Sequence, residues 1–272
     1  MELIRIGTKS VLFIIVTTGV VIVQPLLLLV HKGKHAYFIP RLWQRAVRKI
    51  FGIKVEITGH PYTDDQTIYI SNHLSYLDIP VIGSTLKASF VAKEDLAGWP
   101  VFGFLSKLQQ TAFISRARKD AKKEKHALDN MLNEGKSLIL FPEGTSSDGS
   151  TVLPFKSSLF SIALKNDSDR DITIQPITLK IIQVNGENAD KQHVRDLYSW
   201  HGDMTLSPHL LSFMKCRGAT ISMTFHQTYK ASDFDCRKAL SKECYGRVCS
   251  PLTKEMAKEV IENTEDRLPK TA

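Results

Sequence analysis

Cysteine is scarce in this chain and poorly placed for metal or redox chemistry. Its four copies, Cys216, Cys236, Cys244 and Cys249, all fall in the last quarter. None stands in a C-x-x-C pair or at zinc-finger spacing from a histidine. Reduced thiols in a cytosolic setting are the expectation. No G-x-S-x-G elbow occurs, so a serine hydrolase of the α/β type would have no nucleophile. No second histidine or carboxylate pair offers ligand spacing, so neither metal nor cofactor is expected. Basic residues are not interleaved with aromatics in a nucleic-acid module, and no nucleic-acid partner is expected. Internal repeats, low-complexity tracts and long linkers are missing as well.

Charge of either sign is missing from residues 11–30, a length that crosses the hydrocarbon core as a helix. The stretch is long for a signal-peptide core, and no small-x-small cleavage site follows it. A retained membrane anchor over residues 1–35 is therefore expected. Gln24-Pro25 interrupts the run and leaves a kinked or half-inserted helix open. Negative charge is missing next: Lys32, Lys34, Arg41, Arg45, Arg48 and Lys49 follow with no acidic residue before Glu56. The excess of cations on this flank places the remainder on the cytoplasmic side of a bacterial inner membrane. Within residues 36–51, Ile39, Leu42, Trp43, Ala46, Val47, Ile50 and Phe51 recur at helical spacing, with the cations on the other face. The expectation is an interfacial helix on anionic headgroups, a core-facing helix with a basic solvated side being the other reading. The net charge of +8, from 36 Lys+Arg against 28 Asp+Glu, then has an anionic membrane surface as its partner.

What the chain does have is apolar residues in quantity: 43% of its 272 residues are hydrophobic, enough for a substantial core. From about residue 52, short apolar runs alternate with amphipathic stretches, as in an α/β domain. Strands are predicted at 55–57, 67–70, 89–92, 137–141 and 219–225, with one or two around Pro176 in 172–182. Helices are predicted at 117–132, capped by Gly135, and at 155–164. The domain is taken as 52–230, followed by a polar helical tail over 231–272.

The strongest local signal is Ser71-Asn72-His73-Leu74-Ser75-Tyr76-Leu77-Asp78, directly after a predicted strand. Active sites of open α/β sheets gather at such strand ends. A histidine can take the proton of an attacking hydroxyl, and works better when a carboxylate fixes its tautomer. Five residues apart on one continuous helix, the two side chains would diverge by about 140°. To touch, His73 must lie in the turn and Asp78 in the first turn of a helix that accommodates Pro80. Two more segments end strands in the same manner: Gln110-Thr111-Ala112-Phe113-Ile114-Ser115-Arg116 and Phe141-Pro142-Glu143-Gly144-Thr145. Gln175-Pro176-Ile177 is a further strand-associated proline.

In this order and spacing the four segments resemble the sequence blocks of the glycerolipid acyltransferases, the lysophosphatidic acid acyltransferases and their relatives, over roughly residues 50–185. Asn72, His73 and Asp78 match the N-H-x-x-x-x-D block, and residues 141–145 match F-P-E-G-T. In the G-x-x-F-I-x-R block Phe113, Ile114 and Arg116 match, but Gln110 stands where glycine is usual. The resemblance implies an α/β domain with a central mixed sheet flanked by helices, preceded by the membrane helix. It implies His73 as general base and Asp78 as its orienting partner, with direct attack of a lysolipid hydroxyl on an acyl thioester. The thioester of acyl carrier protein or coenzyme A is the co-substrate. Asn72, Phe113, Arg116, Glu143, Gly144, Thr145 and Lys156 become substrate-binding candidates, Arg116 through its planar fork on an anionic headgroup.

One departure concerns the acceptor. Lysophosphatidic acid acyltransferases usually carry arginine after F-P-E-G-T, whereas this chain has Ser146. A phosphate acceptor would then need a substitute cation such as Lys156. The runs Phe141–Gly149 and Leu153–Ser157, with Trp200–Met204, look more like the lyso-ornithine lipid acyltransferases, which esterify a hydroxyl on an amide-linked fatty acid. A non-catalytic membrane-binding module would need the anchor and the basic helix but not His73, Asp78 and Glu143 at strand ends.

Overall fold

The computed structural model describes residues 1–30, 36–99, 102–114, 128–164 and 171–265, with side chains described as far as residue 252. Among the described residues nine strands form one sheet: β1 (Ile53–Thr58), β2 (Thr67–Ser71), β3 (Ser89–Lys93), β4 (Ala112–Ile114), β5 (Leu138–Leu140), β6 (Thr173–Val184), β7 (Glu187–Asn188), β8 (Ala219–Phe225) and β9 (Tyr229–Lys230). The order is β1-β8-β6-β2-β5-β3-β4, with β7 and β9 pairing onto β6. From β6 to β4 all neighbours are parallel, whereas β8 runs antiparallel to β6. The sheet is therefore mixed.

The central strands are apolar on both sides because both faces of the sheet are covered. Ile68 and Ile70 of β2 join one core with Leu138, Leu140, Phe160 and Ile174, while Tyr69 joins the other with Phe90, Ile139 and Ile177. Outlying β8 alternates buried and half-buried residues along its length. The region around Pro176 is one strand, not two. Pro176 sits opposite Ile70, and its carbonyl accepts the His226 N–H at 3.0 Å. The stretch predicted as a helix at 155–164 is a 3-10 turn, Ser157–Phe160, running into a short helix, Ser161–Leu164. Of the helix predicted at 117–132, residues 117–127 lie outside the described residues. Its end is helical, and Gly135 (φ 75°) closes it, with the Lys136 N–H on the Met131 carbonyl.

Helix α1 (Glu2–Val30) is long and apolar enough to cross a membrane, and Pro25 lies inside it. One face packs on the body through Ile6, Phe13, Val16, Val20 and Val21. Lys9 Nζ donates to the Cys216 carbonyl at 2.8 Å, and the buried Gln24 amide donates to the carbonyls of Ala36 and Leu108. Helix α2 (Phe38–Ile50) turns most of its apolar stripe to the core. Trp43, Val47 and the following Phe51 are buried in the core, with the Trp43 indole donating to Thr17 of α1. Its cations are partly spoken for too: Arg41 and Arg45 both donate to the Ser84 carbonyl at the end of α3 (Asp78–Gly83). Cations at a helix carboxyl end complement its dipole. The apolar positions of α2 reaching the surface are its outer ones, Phe38 and Leu42.

Candidate active site

Strands β2 and β5 lie side by side and parallel, so the segments leaving their carboxyl ends emerge at one edge. Leaving β2, the buried Asn72 exchanges two hydrogen bonds with the backbone of Leu179 on β6, donating at 2.9 Å and accepting at 2.7 Å. That pins the start of the turn, and makes Asn72 a clamp between strands rather than a ligand contact. His73 follows in the turn, and α3 begins at Asp78. Pro80 is the third residue of that helix, a position whose N–H has no intrahelical partner to lose. The chain thereby folds back, and His73 Nδ1 lies 2.8 Å from Asp78 Oδ2.

Asp78 is fully buried. Its Oδ2 also accepts the N–H groups of Leu74 (2.7 Å) and Ser75 (3.0 Å), and its Oδ1 accepts the Tyr198 hydroxyl at 3.1 Å. With its oxygens accepting, the carboxylate calls for a proton on His73 Nδ1 and leaves Nε2 as the free acceptor of the ring. The imidazole stacks on Phe141, which follows β5, at 4.1 Å between centroids and 19°. About a fifth of the side chain remains exposed.

Glu143 is buried, and both its oxygens serve the backbone: Oε1 accepts the His73 N–H at 2.6 Å and Oε2 the Leu153 N–H at 2.7 Å. Burial pushes its carboxyl up to about 7 in spite of these two donors. Glu143 thus acts on the site by holding the catalytic turn and the loop before Lys156 together. Gly144 has φ +72°, and a Cβ built there would lie 2.3 Å from Lys156 Nζ, so its bareness lets the ammonium sit against the turn. Lys156 and Thr145 are exposed. Ser146 is turned inward, its hydroxyl donating to the Trp200 carbonyl, while the Ser147 N–H donates to the His73 carbonyl at 2.9 Å.

Phe113 is half-buried on the outermost strand β4, opposite Ala92. Three strand spacings from β2, about 14 Å, keep it away from the His73 turn. Arg116 lies outside the described residues. Gln110 occupies the left-handed region at φ 58°, which accounts for glycine being usual at that place in the block.

In the stretch after β6, sequence reasoning singled out Trp200–Met204 as a likeness but missed the contacts with the catalytic turn. There Tyr198 meets Asp78, and the Trp200 N–H donates to the Leu74 carbonyl at 2.9 Å. Arg195 grips the Asp148 carbonyl and carboxylate. The Tyr76 hydroxyl lies 3.0 Å from His209 Nδ1, whose other nitrogen faces the Asp196 carbonyl. No local pattern marks Tyr198 or Arg195.

The comparisons with known proteins follow the same outline. A family model described as Acyltransferase matches residues 52–180. The chain is 33% identical over 214 residues to the lyso-ornithine lipid O-acyltransferase of Brucella abortus (strain 2308), spanning 77% of this chain and 80% of that one. To the protein of the same name from Rhizobium meliloti (strain 1021) it is 31% identical over 244 residues, 88% of this chain and 82% of the relative. To the 1-acyl-sn-glycerol-3-phosphate acyltransferase of Neisseria meningitidis serogroup B it is 29% identical over 199 residues, 72% and 73% of the two chains. Among solved structures, the 1-acyl-sn-glycerophosphate acyltransferase PlsC of Thermotoga maritima superposes with a TM-score of 0.66. It covers 94% of this chain and 98% of its own, at 18% identity, and so bears on the fold alone.

Proposed function

The chain belongs to the acyltransferase family and is an acyltransferase, and from that premise we propose that it acylates the hydroxyl of a lyso-ornithine lipid. His73 Nε2 takes the proton of that hydroxyl as the oxygen attacks the carbonyl carbon of an acyl thioester. The tetrahedral adduct collapses, the C–S bond breaks, and the imidazolium returns its proton to the departing thiolate. Asp78 holds the ring and stabilises its charged form. No bond to the enzyme forms, and no cofactor is needed beyond the thioester of acyl carrier protein or coenzyme A.

The observation that carries the acceptor is Ser146. Where an arginine would hold a phosphate, this side chain is buried and bonded to the Trp200 carbonyl. The names of the Brucella and Rhizobium relatives point the same way. One observation favours 1-acylglycerol-3-phosphate instead: the Lys156 ammonium lies against Gly144, a cation beside the turn that could meet a phosphate. Arg116 is proposed to bind the headgroup's anion in either case. The body is placed on the cytoplasmic face of a bacterial inner membrane, with α1 in the lipid.

Purified full-length enzyme in detergent micelles, given palmitoyl-acyl carrier protein, should acylate lyso-ornithine lipid with a kcat/KM about tenfold or more above that for 1-acylglycerol-3-phosphate. Thiol should be released only when an acceptor is present. His73→Ala should lower kcat by about 10²–10⁴-fold and leave vesicle binding intact. A preference for the phosphate acceptor would reject the headgroup assignment, and an active His73→Ala chain would reject the base.

A further inference from the structure

We infer that the Tyr198 hydroxyl is a positioning group for the acyl transfer, acting through Asp78 on the His73 ring. The inference rests on His73 being the base. Asp78 is wholly buried, and a buried carboxylate needs both oxygens met. Three donors converge on Oδ2 at 2.7–3.0 Å, and all come from the turn that Asp78 itself closes. They fix one oxygen. The plane of the carboxylate is set only when the second oxygen is fixed too, and Tyr198 does this from 120 residues downstream.

Tyr198 is rigidly held for such a task. It has no exposed surface, its ring meets Phe213 edge-on at 5.9 Å and 81°, and its N–H donates to the Arg195 carbonyl at 2.9 Å. Two residues on, the Trp200 N–H ties the same stretch to the Leu74 carbonyl inside the catalytic turn. Burial and the neighbouring Asp78 charge hold the phenol's pKa well above its usual range, so it stays a donor. The stretch lies beyond residues 52–180, outside the part that the family model matches.

Tyr198→Phe removes the hydroxyl and keeps the ring. In the full chain, assayed in micelles with lyso-ornithine lipid and palmitoyl-acyl carrier protein, kcat falls about 10- to 100-fold. Both KM values stay within about twofold. The acid limb of the kcat/KM profile moves to higher pH, because a carboxylate short of one donor holds the imidazolium proton more tightly. In an Asp78→Asn background the same substitution changes kcat by less than about twofold, since the two groups act in series. A ring-fluorinated tyrosine placed at 198 is a stronger donor of nearly the same shape. It moves the acid limb the other way, and carries the test if Tyr198→Phe does not fold. An acid limb unmoved by either change overturns the inference, even where kcat drops, and leaves Tyr198 as core filling. Full turnover in His73→Ala overturns the premise instead.

Discussion

At the scale of single residues the site turns on two buried carboxyl groups that solve desolvation differently. Asp78 collects its donors from the catalytic turn and Tyr198, whereas Glu143 has the backbone N–H groups of His73 and Leu153. For Glu143 burial still prevails, and its carboxyl moves from 4.5 to about 7. The folded state therefore binds this proton more readily than the unfolded chain. The stability it contributes is complete below pH 4.5 and is lost as the pH rises to about 7. Glu143→Gln should remove that dependence. Melting temperatures taken across the pH range in micelles should show the wild type falling relative to the variant between those limits and running parallel above them. The variant carries a constant offset of about 1–3 kcal/mol, because its amide NH₂ faces one of the two backbone donors. Curves parallel throughout would mean that Glu143 does not titrate in this range. The pairing of His73 with Asp78 was legible because it is local: a strand before, four residues between, a proline placed to tolerate the helix start. The bonds from Glu143 to His73 and from Tyr198 to Asp78 were not, because each depends on where distant strands lie relative to one another.

At the scale of elements, the strands were the most readable part. Leu138–Leu140 and Thr67–Ser71 are short, apolar and bounded by turn residues, and such runs fit a sheet covered on both faces. The facing of α2 could not be read from its sequence, for a physical reason. An apolar stripe opposite cations describes equally a helix on a bilayer and a helix on a core, and only the partner decides. Here the partners are α1 and α3, reached through Trp43 and Gln44, and Gln44 lies so close to Gly83 that a Cβ there would clash. The link into β4 shows an element straining a residue. Gln110 is held at φ 58°, and its Nε2 is buried without a hydrogen-bond partner among the described residues. Gln110→Gly should relieve both, stabilising the fold by about 1 kcal/mol. For a chain of this size that raises the melting temperature by about 2–4 °C. A lower melting temperature would show that the glutamine's packing outweighs its backbone strain.

At the scale of the whole molecule, the question is how α1 meets the membrane. Lys9 and Gln24 both anchor it to the body, and their separation of 15 residues puts those anchors about 22 Å apart along the helix. A helix crossing the bilayer upright would drag that length of the body, with the basic side of α2, into hydrocarbon at a prohibitive cost. Lying in the plane of one leaflet, it keeps its docked face and buries the other, where Ile4, Leu12, Ile15, Ile22, Leu26 and Leu29 are exposed. Phe38 and Leu42 of α2, Phe104 and Leu211 extend the exposed apolar surface on helices that touch α1. In that arrangement the membrane would be held by area along one side, with cations at its rim towards anionic headgroups. Depth can be read directly. Spin labels placed one at a time at Ile4, Ile15 and Leu26, with Cys236 and Cys249 replaced by serine, should report similar depths in anionic vesicles, all within a single leaflet. A spanning helix would put Ile15 near the bilayer centre and the other two towards opposite interfaces, and that profile would reject the in-plane arrangement.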